Sequence, residues 1–232
     1  MRKYSKSTSL EIATTSHVIF AFDTLISHLK QALDKPSPEF PDAETALFVT
    51  WKRSPQQEGE HAKLRGCIGI LEPRNLHSCL RDYTLTSALR DTRFPPIHID
   101  EIPDLECTVS LLSCFEPASG GWHDWEVGVH GIIIEFEDPD HSNAGCKRSA
   151  TFLPEVAQEQ GWSKMECIDA LIRKSGYRNM PTAALRSSLT LIRYQSTNCT
   201  LTYAQYFQLR ASTNQWSESS AQEMARETTG VA

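Results

Sequence analysis

The run Leu64-Arg65-Gly66-Cys67-Ile68-Gly69 constrains this chain most, because it sets two glycines around one cysteine inside a short apolar segment. An apolar run of this length fits a buried strand, and glycine within a strand marks a bulge or the close approach of another backbone or a ligand. Arg65 and Cys67 stand two apart, so on a strand they share a face. A cation beside a thiol favours the nucleophilic thiolate, which makes Cys67 the candidate catalytic residue. The competing reading is a packed strand with an inert cysteine, since cysteine is among the most buried residue types.

Several function classes are disfavoured by composition. The 232 residues allow one large domain or two small ones, and the net charge of -6 opposes a non-specific nucleic-acid binder. No apolar run of about 18 residues is present, so no membrane span is expected. Met1-Arg2-Lys3 is followed by polar residues, without a secretory core. The seven cysteines lie singly, with no Cys-x-x-Cys pair. Neither a zinc site nor a disulfide framework is signalled, and no metal or cofactor is expected. An intracellular location, cytoplasmic and/or nuclear, is the simplest fit.

Along the chain, polar tails are expected at 1–13 and 211–232, with one folded domain over 14–210. Val18, Phe22, Leu25, Leu29 and Leu33 recur at helical spacing, with Ser16 as N-cap and a stop before Pro36. Ala46 to Arg53 alternates as a strand and can form a hairpin with the motif strand, Leu64 to Leu71. Leu76 to Arg90 fits a helix capped by Asn75, with Leu76, Leu80, Tyr83 and Ser87 along its stripe. Leu105 to Ser113 alternates as a strand, and Val127 to Ile134 reads as a tight hairpin turning at His130-Gly131. A strand is expected near Arg148 to Phe152. Ser163 and Glu166 have capping-box spacing before a helix with Met165, Ile168 and Ile172 as its stripe and Gly176 at its end. Leu189 to Tyr194 is a last strand and Tyr203 to Leu209 a short helix. Strands and helices mix without regular βαβ alternation, so the class is α+β with a largely antiparallel sheet and flanking helices.

The motif strand resembles the signature of the AMMECR family, named after a chromosomal region deleted in a syndrome of Alport nephropathy, midface hypoplasia and elliptocytosis. The resemblance continues in Leu80 to Asp91, in Arg93-Phe94-Pro95-Pro96, and in Asp124-Trp125-Glu126-Val127-Gly128-Val129-His130-Gly131-Ile132. Leu153 to Ala157 and Glu159-Gln160-Gly161-Trp162 extend it. It implies a larger subdomain built from both chain ends, a smaller one inserted between them, and a cleft separating the two. Prokaryotic members of the family often occur beside, or fused to, Memo-like and radical SAM proteins. The resemblance implies no particular reaction.

Two functions follow. In one, Cys67 acts in the inter-subdomain cleft on a small anionic substrate. Arg65, Arg90, Asp91 and Arg93 then form the substrate-binding set, an anion-holding corner next to the thiol. Ordinary ion pairs and a cation at a helix end account for the same four residues equally well. In the other, the chain is a non-catalytic binding or scaffold protein that recruits protein partners. His130 is read as a turn residue rather than a base for Cys67. Trp125 and Trp162, with Cys79, Cys107 and Cys167, are read as packing.

Overall fold

The structure is a computed structural model that describes residues 11–55, 61–140 and 146–212. Six strands, β1 (Glu44–Arg53), β2 (Lys63–Asn75), β3 (Leu105–Pro117), β4 (Gly131–Glu137), β5 (Lys147–Phe152) and β6 (Thr190–Thr202), make one sheet in the order β2-β1-β3-β6-β4-β5. The β1–β2, β4–β5 and β4–β6 pairs are antiparallel, and helices flank the sheet, so the chain is α+β as its pattern predicts. Contacts divide it into two compact units. The first comprises Ala13–Ile70, Arg74–Ser110 and the chain from Asn198 onward. The second is built chiefly from Leu111–Thr197. The expected tails fall almost wholly outside the described residues.

In the first unit, α1 (Thr15–Leu29) buries Val18, Phe20, Ala21, Phe22 and Leu25. Thr14 rather than Ser16 starts it, because the Thr14 N–H donates to His17 Nδ1 at 3.1 Å in a capping-box arrangement. The helix also ends four residues short of Leu33, which is 99% exposed. Ala32 N–H donates to Ser27 O and Gln31 N–H to His28 O, while Gln31 takes a left-handed φ of 53°. This is a Schellman cap with glutamine where glycine is usual, so no glycine announced it in the sequence.

Leu47, Val49 and Trp51 of β1 are fully buried, whereas Phe48 and Thr50 on the opposite face are only half-buried. This is the alternation the sequence predicts. The buried face packs on α2 (Leu76–Leu89), where Trp51 Nε1 donates to Thr84 O at 3.4 Å, and the Trp51 ring meets Phe22 edge-on at 5.2 Å. Asn75 caps α2 by accepting from Ser78 N–H. The α2 stripe runs through Leu76, Leu80, Thr84, Ser87 and Ala88, and Tyr83 is half-buried at its margin. Both motif glycines are close approaches. A Cβ on Gly66 would stand 2.0 Å from the Ser87 carbonyl oxygen of α2, and one on Gly69 2.3 Å from Leu47 O. A helix over residues 203–212 adds Tyr206, whose ring stacks on Phe22 at 4.8 Å.

The second unit packs Ile132, Ile134 and Phe136 of β4 against α4 (Lys164–Lys174), with two short helices, α3 (Pro154–Glu159) and α5 (Ala183–Ser188), that the sequence pattern did not mark. Ser163 and Glu166 cap α4 reciprocally and Gly176 follows it with φ 88°, as their spacing predicts. The buried face of α4 is Cys167, Ile168, Leu171 and Ile172, which leaves Met165 half-exposed on the other side. The hairpin expected at Val127 to Ile134 is not formed. Residues 127–129 are a turn closed by His130 N–H on Glu126 O at 2.9 Å, with Gly128 at φ 80°, and only the part from Gly131 onward is a strand. Tight glycine spacing here serves a helical-type turn, which period-2 alternation of Val and Ile imitates.

Gly66→Ala should destabilise the protein by roughly 3 kcal/mol, because the obstructing atom is helix backbone and cannot rotate aside. Gly161→Ala, with nothing within 4 Å but a φ of 65°, should cost only about 1 kcal/mol. Urea denaturation of the two variants compares them directly.

Candidate functional site

β2 is an edge strand, so half of its backbone groups face away from β1. At Cys67 these outward groups are satisfied by side chains. Asp91 Oδ2 accepts from the Cys67 N–H at 2.9 Å, and Arg93 Nη2 donates to Cys67 O at 3.1 Å. The two side chains are joined by Arg93 Nε on Asp91 Oδ1 at 2.9 Å and Nη2 on Oδ2 at 2.6 Å. The Arg93 N–H also donates to Oδ1 at 3.2 Å. Carboxylate and guanidinium thus present to Cys67 the acceptor and donor that a neighbouring strand would present.

Local sequence explains how this clasp is placed. α2 stops at Leu89 and Phe94 N–H donates to Asp91 O in a turn before Pro95-Pro96, and beyond the two prolines Ile97 N–H returns to Ala88 O. The Gly66 contact with Ser87 brings the end of α2 onto β2, so the next residues necessarily pass its edge. The Asp91 side chain is 4% exposed, and the Arg93 side chain 54%. Arg93's hydrogen bonds hold the Asp91 carboxyl down at about 2 against the opposing effect of burial, helped by the N–H groups of Cys67 and Arg93. Asp91 in turn raises Arg93, with a smaller contribution from the Cys67 thiol.

Cys67 lies half-buried opposite Thr50 in the β1–β2 register, and Thr50 Oγ1 donates to its Sγ at 3.1 Å. Arg65 falls at the register shift between the Trp51–Gly66 and Lys52–Leu64 pairs, and its guanidinium is already engaged. It makes a two-point ion pair with Glu101, Nε to Oε2 at 2.9 Å and Nη2 to Oε1 at 2.8 Å. It also donates to Pro95 O at 2.6 Å and Pro96 O at 3.1 Å. Arg65 holds Glu101 below the usual carboxylate range. Arg90 is exposed beyond the end of α2. Of the residues singled out from the sequence, the structure therefore gathers Cys67, Asp91 and Arg93 into one cluster, straps it with Arg65, and leaves Arg90 outside. Thr50 and Glu101 belong to this cluster and were missed. Thr50 could have been found only by fixing the hairpin register, and Glu101 lies 36 residues from its partner.

The other cysteines sit in different surroundings. Burial pushes the Cys107 thiol well above its ordinary range and Cys167 up to about 11, and it also raises Cys79 and Cys199. In the second unit, His130 Nδ1 accepts from Glu126 N–H at 3.1 Å, which fixes that ring within its own turn. Among the described residues, no group of three or more histidine, cysteine, aspartate or glutamate side chains is placed to hold a metal ion, and no helix is long and apolar enough to cross a membrane.

The AMMECR1 family model matches residues 18–199. An uncharacterised protein of Arabidopsis thaliana is 50% identical over 194 residues, covering 84% of this chain and 87% of its own length. An uncharacterised protein of Schizosaccharomyces pombe is 39% identical over 161 residues, covering 69% of this chain and 77% of its own length. The crystal structure of an uncharacterised protein from Pyrococcus horikoshii superposes with a TM-score of 0.65 at 26% identity, over 79% of this chain and 89% of that one. The chain belongs to the AMMECR1 family.

Because Asp91 is acidified on folding, its contribution to stability is fully present above the unfolded value near 3.8 and is lost as the pH falls toward about 2. The difference in stability between wild type and Asp91→Asn should be about 2 kcal/mol greater near neutrality than at the acid end. Urea denaturation of both proteins across that pH range measures it; a pH-independent difference would contradict the assignment.

Proposed function

We propose that this AMMECR1-family chain is a cysteine-dependent enzyme in which the Cys67 thiol attacks a small anionic substrate held by Arg93. The observation that carries this reading is the hydrogen bond from Thr50 Oγ1 to Cys67 Sγ at 3.1 Å, on the side chain of a residue whose own N–H and C=O are held by Asp91 and Arg93. A donor aimed at sulfur stabilises the thiolate over the thiol, and a nearby guanidinium acts in the same direction. A backbone held on both sides keeps the sulfur in one place, as a nucleophile requires. In the step itself, the thiol proton passes to water, and a lone pair on the resulting Sγ thiolate forms the new bond at an electrophilic carbon. The leaving group departs with the pair from the broken bond and is protonated by water.

The roles within the substrate-binding set divide according to their partners. Arg93 uses Nε and Nη2 on Asp91 and Cys67, which leaves the two Nη1 hydrogens without a protein partner among the described residues, on a half-exposed side chain. These are the donors for the anion. Asp91 positions Arg93, and Arg65 positions the 95–101 segment. Arg90 contributes charge from outside the cluster.

Brief iodoacetamide treatment of the folded protein, mapped by peptide mass, tests the reading. Cys67 should label before the other six cysteines and should keep labelling in mildly acidic buffer, where Cys146 and Cys199 fade. Thr50→Val keeps the shape and removes the donor, and should slow Cys67 labelling by about threefold or more in that buffer. If Cys67 labels only once the protein unfolds, the nucleophile role falls and the non-catalytic binding reading takes its place.

A further inference from the structure

The second unit contains a polar cavity of about 420 Å³, within the size range of small-molecule sites. Its wall includes Asp124, Trp125, Glu126, His130, Lys164 and Arg193. Most of these groups are tied to one another. Arg193 Nε donates to Glu116 Oε1 at 2.7 Å, and its Nη1 donates to Asp124 Oδ1 at 2.8 Å and to Asp124 O at 3.1 Å. Asp124 Oδ2 accepts from Gly120 N–H at 3.0 Å, so both of its oxygens are engaged. Trp125 is buried, with its Nε1 donating to Trp122 O at 3.1 Å, and it forms a fixed surface.

Two opposite charges on the wall are not spent in this way. Lys164 gives one of its three donors to His123 O at 3.1 Å and makes no ion pair among the described residues. Glu126 uses its backbone in the turn to His130, and its carboxylate has no ion pair or hydrogen bond among the described residues. Nor do the two pair with each other. His130 adds a neutral donor. Its Nδ1 is occupied as an acceptor from Glu126 N–H, so the neutral ring carries its proton on Nε2. Burial, followed by the charge of Arg193, lowers the pKa of His130, which favours that neutral form.

We propose that this cavity binds a small zwitterion, a molecule with one carboxylate and one ammonium group, with the carboxylate at Lys164 and the ammonium at Glu126. A ligand with two anionic ends would place one of them against Glu126, and a dication would meet Lys164. A zwitterion satisfies both wall charges and leaves the Arg193–Asp124 pair intact. The turn that carries Glu126 and His130 is closed by three hydrogen bonds, so the acceptor side of the site is preformed. None of these residues belongs to the Cys67 cluster, and the inference does not rest on the thiol chemistry.

The test is a ¹H–¹⁵N titration of the full chain with each of the twenty free amino acids. For each that binds, its carboxamide, which lacks the anion, and its hydroxy-acid analogue, which lacks the ammonium, are titrated as well. At least one amino acid should give saturating shifts at Gly120, Glu126 and His130, with its two analogues weaker by about tenfold. Lys164→Met should weaken the amino acid and the hydroxy acid alike. Glu126→Gln should weaken the amino acid about tenfold and leave the hydroxy acid where it stands in wild type. Both substitutions are on the cavity wall, and unchanged spectra elsewhere confirm that each variant is folded. Cys67→Ala should bind as wild type does, so failure here is separable from failure of the thiol reading. The proposal is overturned if no amino acid gives saturating shifts at these amides, or if the hydroxy acid binds wild type as tightly as the amino acid.

Discussion

The hydrogen bonds that Asp91 and Arg93 make to the backbone of Cys67 are the interaction on which the first unit turns. An edge strand leaves donors and acceptors open to water or to another chain, and β2 lies at the edge of a six-stranded sheet. The protein closes that edge with two side chains whose charges satisfy one another. A buried carboxylate is costly unless it is paired and fully hydrogen-bonded, and Asp91 accepts from two N–H groups and twice from one guanidinium. Gly66 makes the arrangement reachable, because only the absence of a side chain lets α2 come close enough for its C-terminal turn to meet the strand.

The clasp has a chemical consequence for the side chain it surrounds. Cys67 is fixed through its backbone, and this half-buried residue carries its sulfur beside Thr50. Cys107 and Cys167 are buried among apolar side chains, where the thiolate is disfavoured. The contrast comes from position in the fold, Cys107 in β3 and Cys167 in α4, and not from the residue type. Arg65 illustrates the same point: a guanidinium two residues from a thiol is engaged by Glu101 and two proline carbonyls, and it acts by holding the 95–101 segment in place.

Much of the fold was legible because periodicity reports burial. Leu47, Val49 and Trp51 alternate and are buried, Ser163 with Glu166 announces α4, and two glycines in one strand announce close backbone contacts. The failures have common physical origins. The end of α1 is set by backbone hydrogen bonds around a left-handed Gln31, which no residue type signals, and the short α3 and α5 offer too few positions for a period to show. The turn before β4 carries the Val and Ile alternation of a strand but is closed by local hydrogen bonds. For the site, Cys67 stood out by its motif and Asp91 and Arg93 by their place at the end of the helix that follows the motif strand through a short connection. Thr50 and Glu101 become partners only through strand register and the path of the chain after α2, both tertiary properties.

Amide hydrogen exchange at Cys67 measures the clasp most directly, since this N–H points away from β1 and its acceptor is Asp91. Its exchange should be slow in wild type, comparable to the paired amides of the β1–β2 hairpin, and should speed up selectively by about tenfold or more in Asp91→Asn while those neighbours keep their protection. Rapid exchange at Cys67 in the wild-type protein, or acceleration spread evenly over the whole hairpin in the variant, would contradict the account.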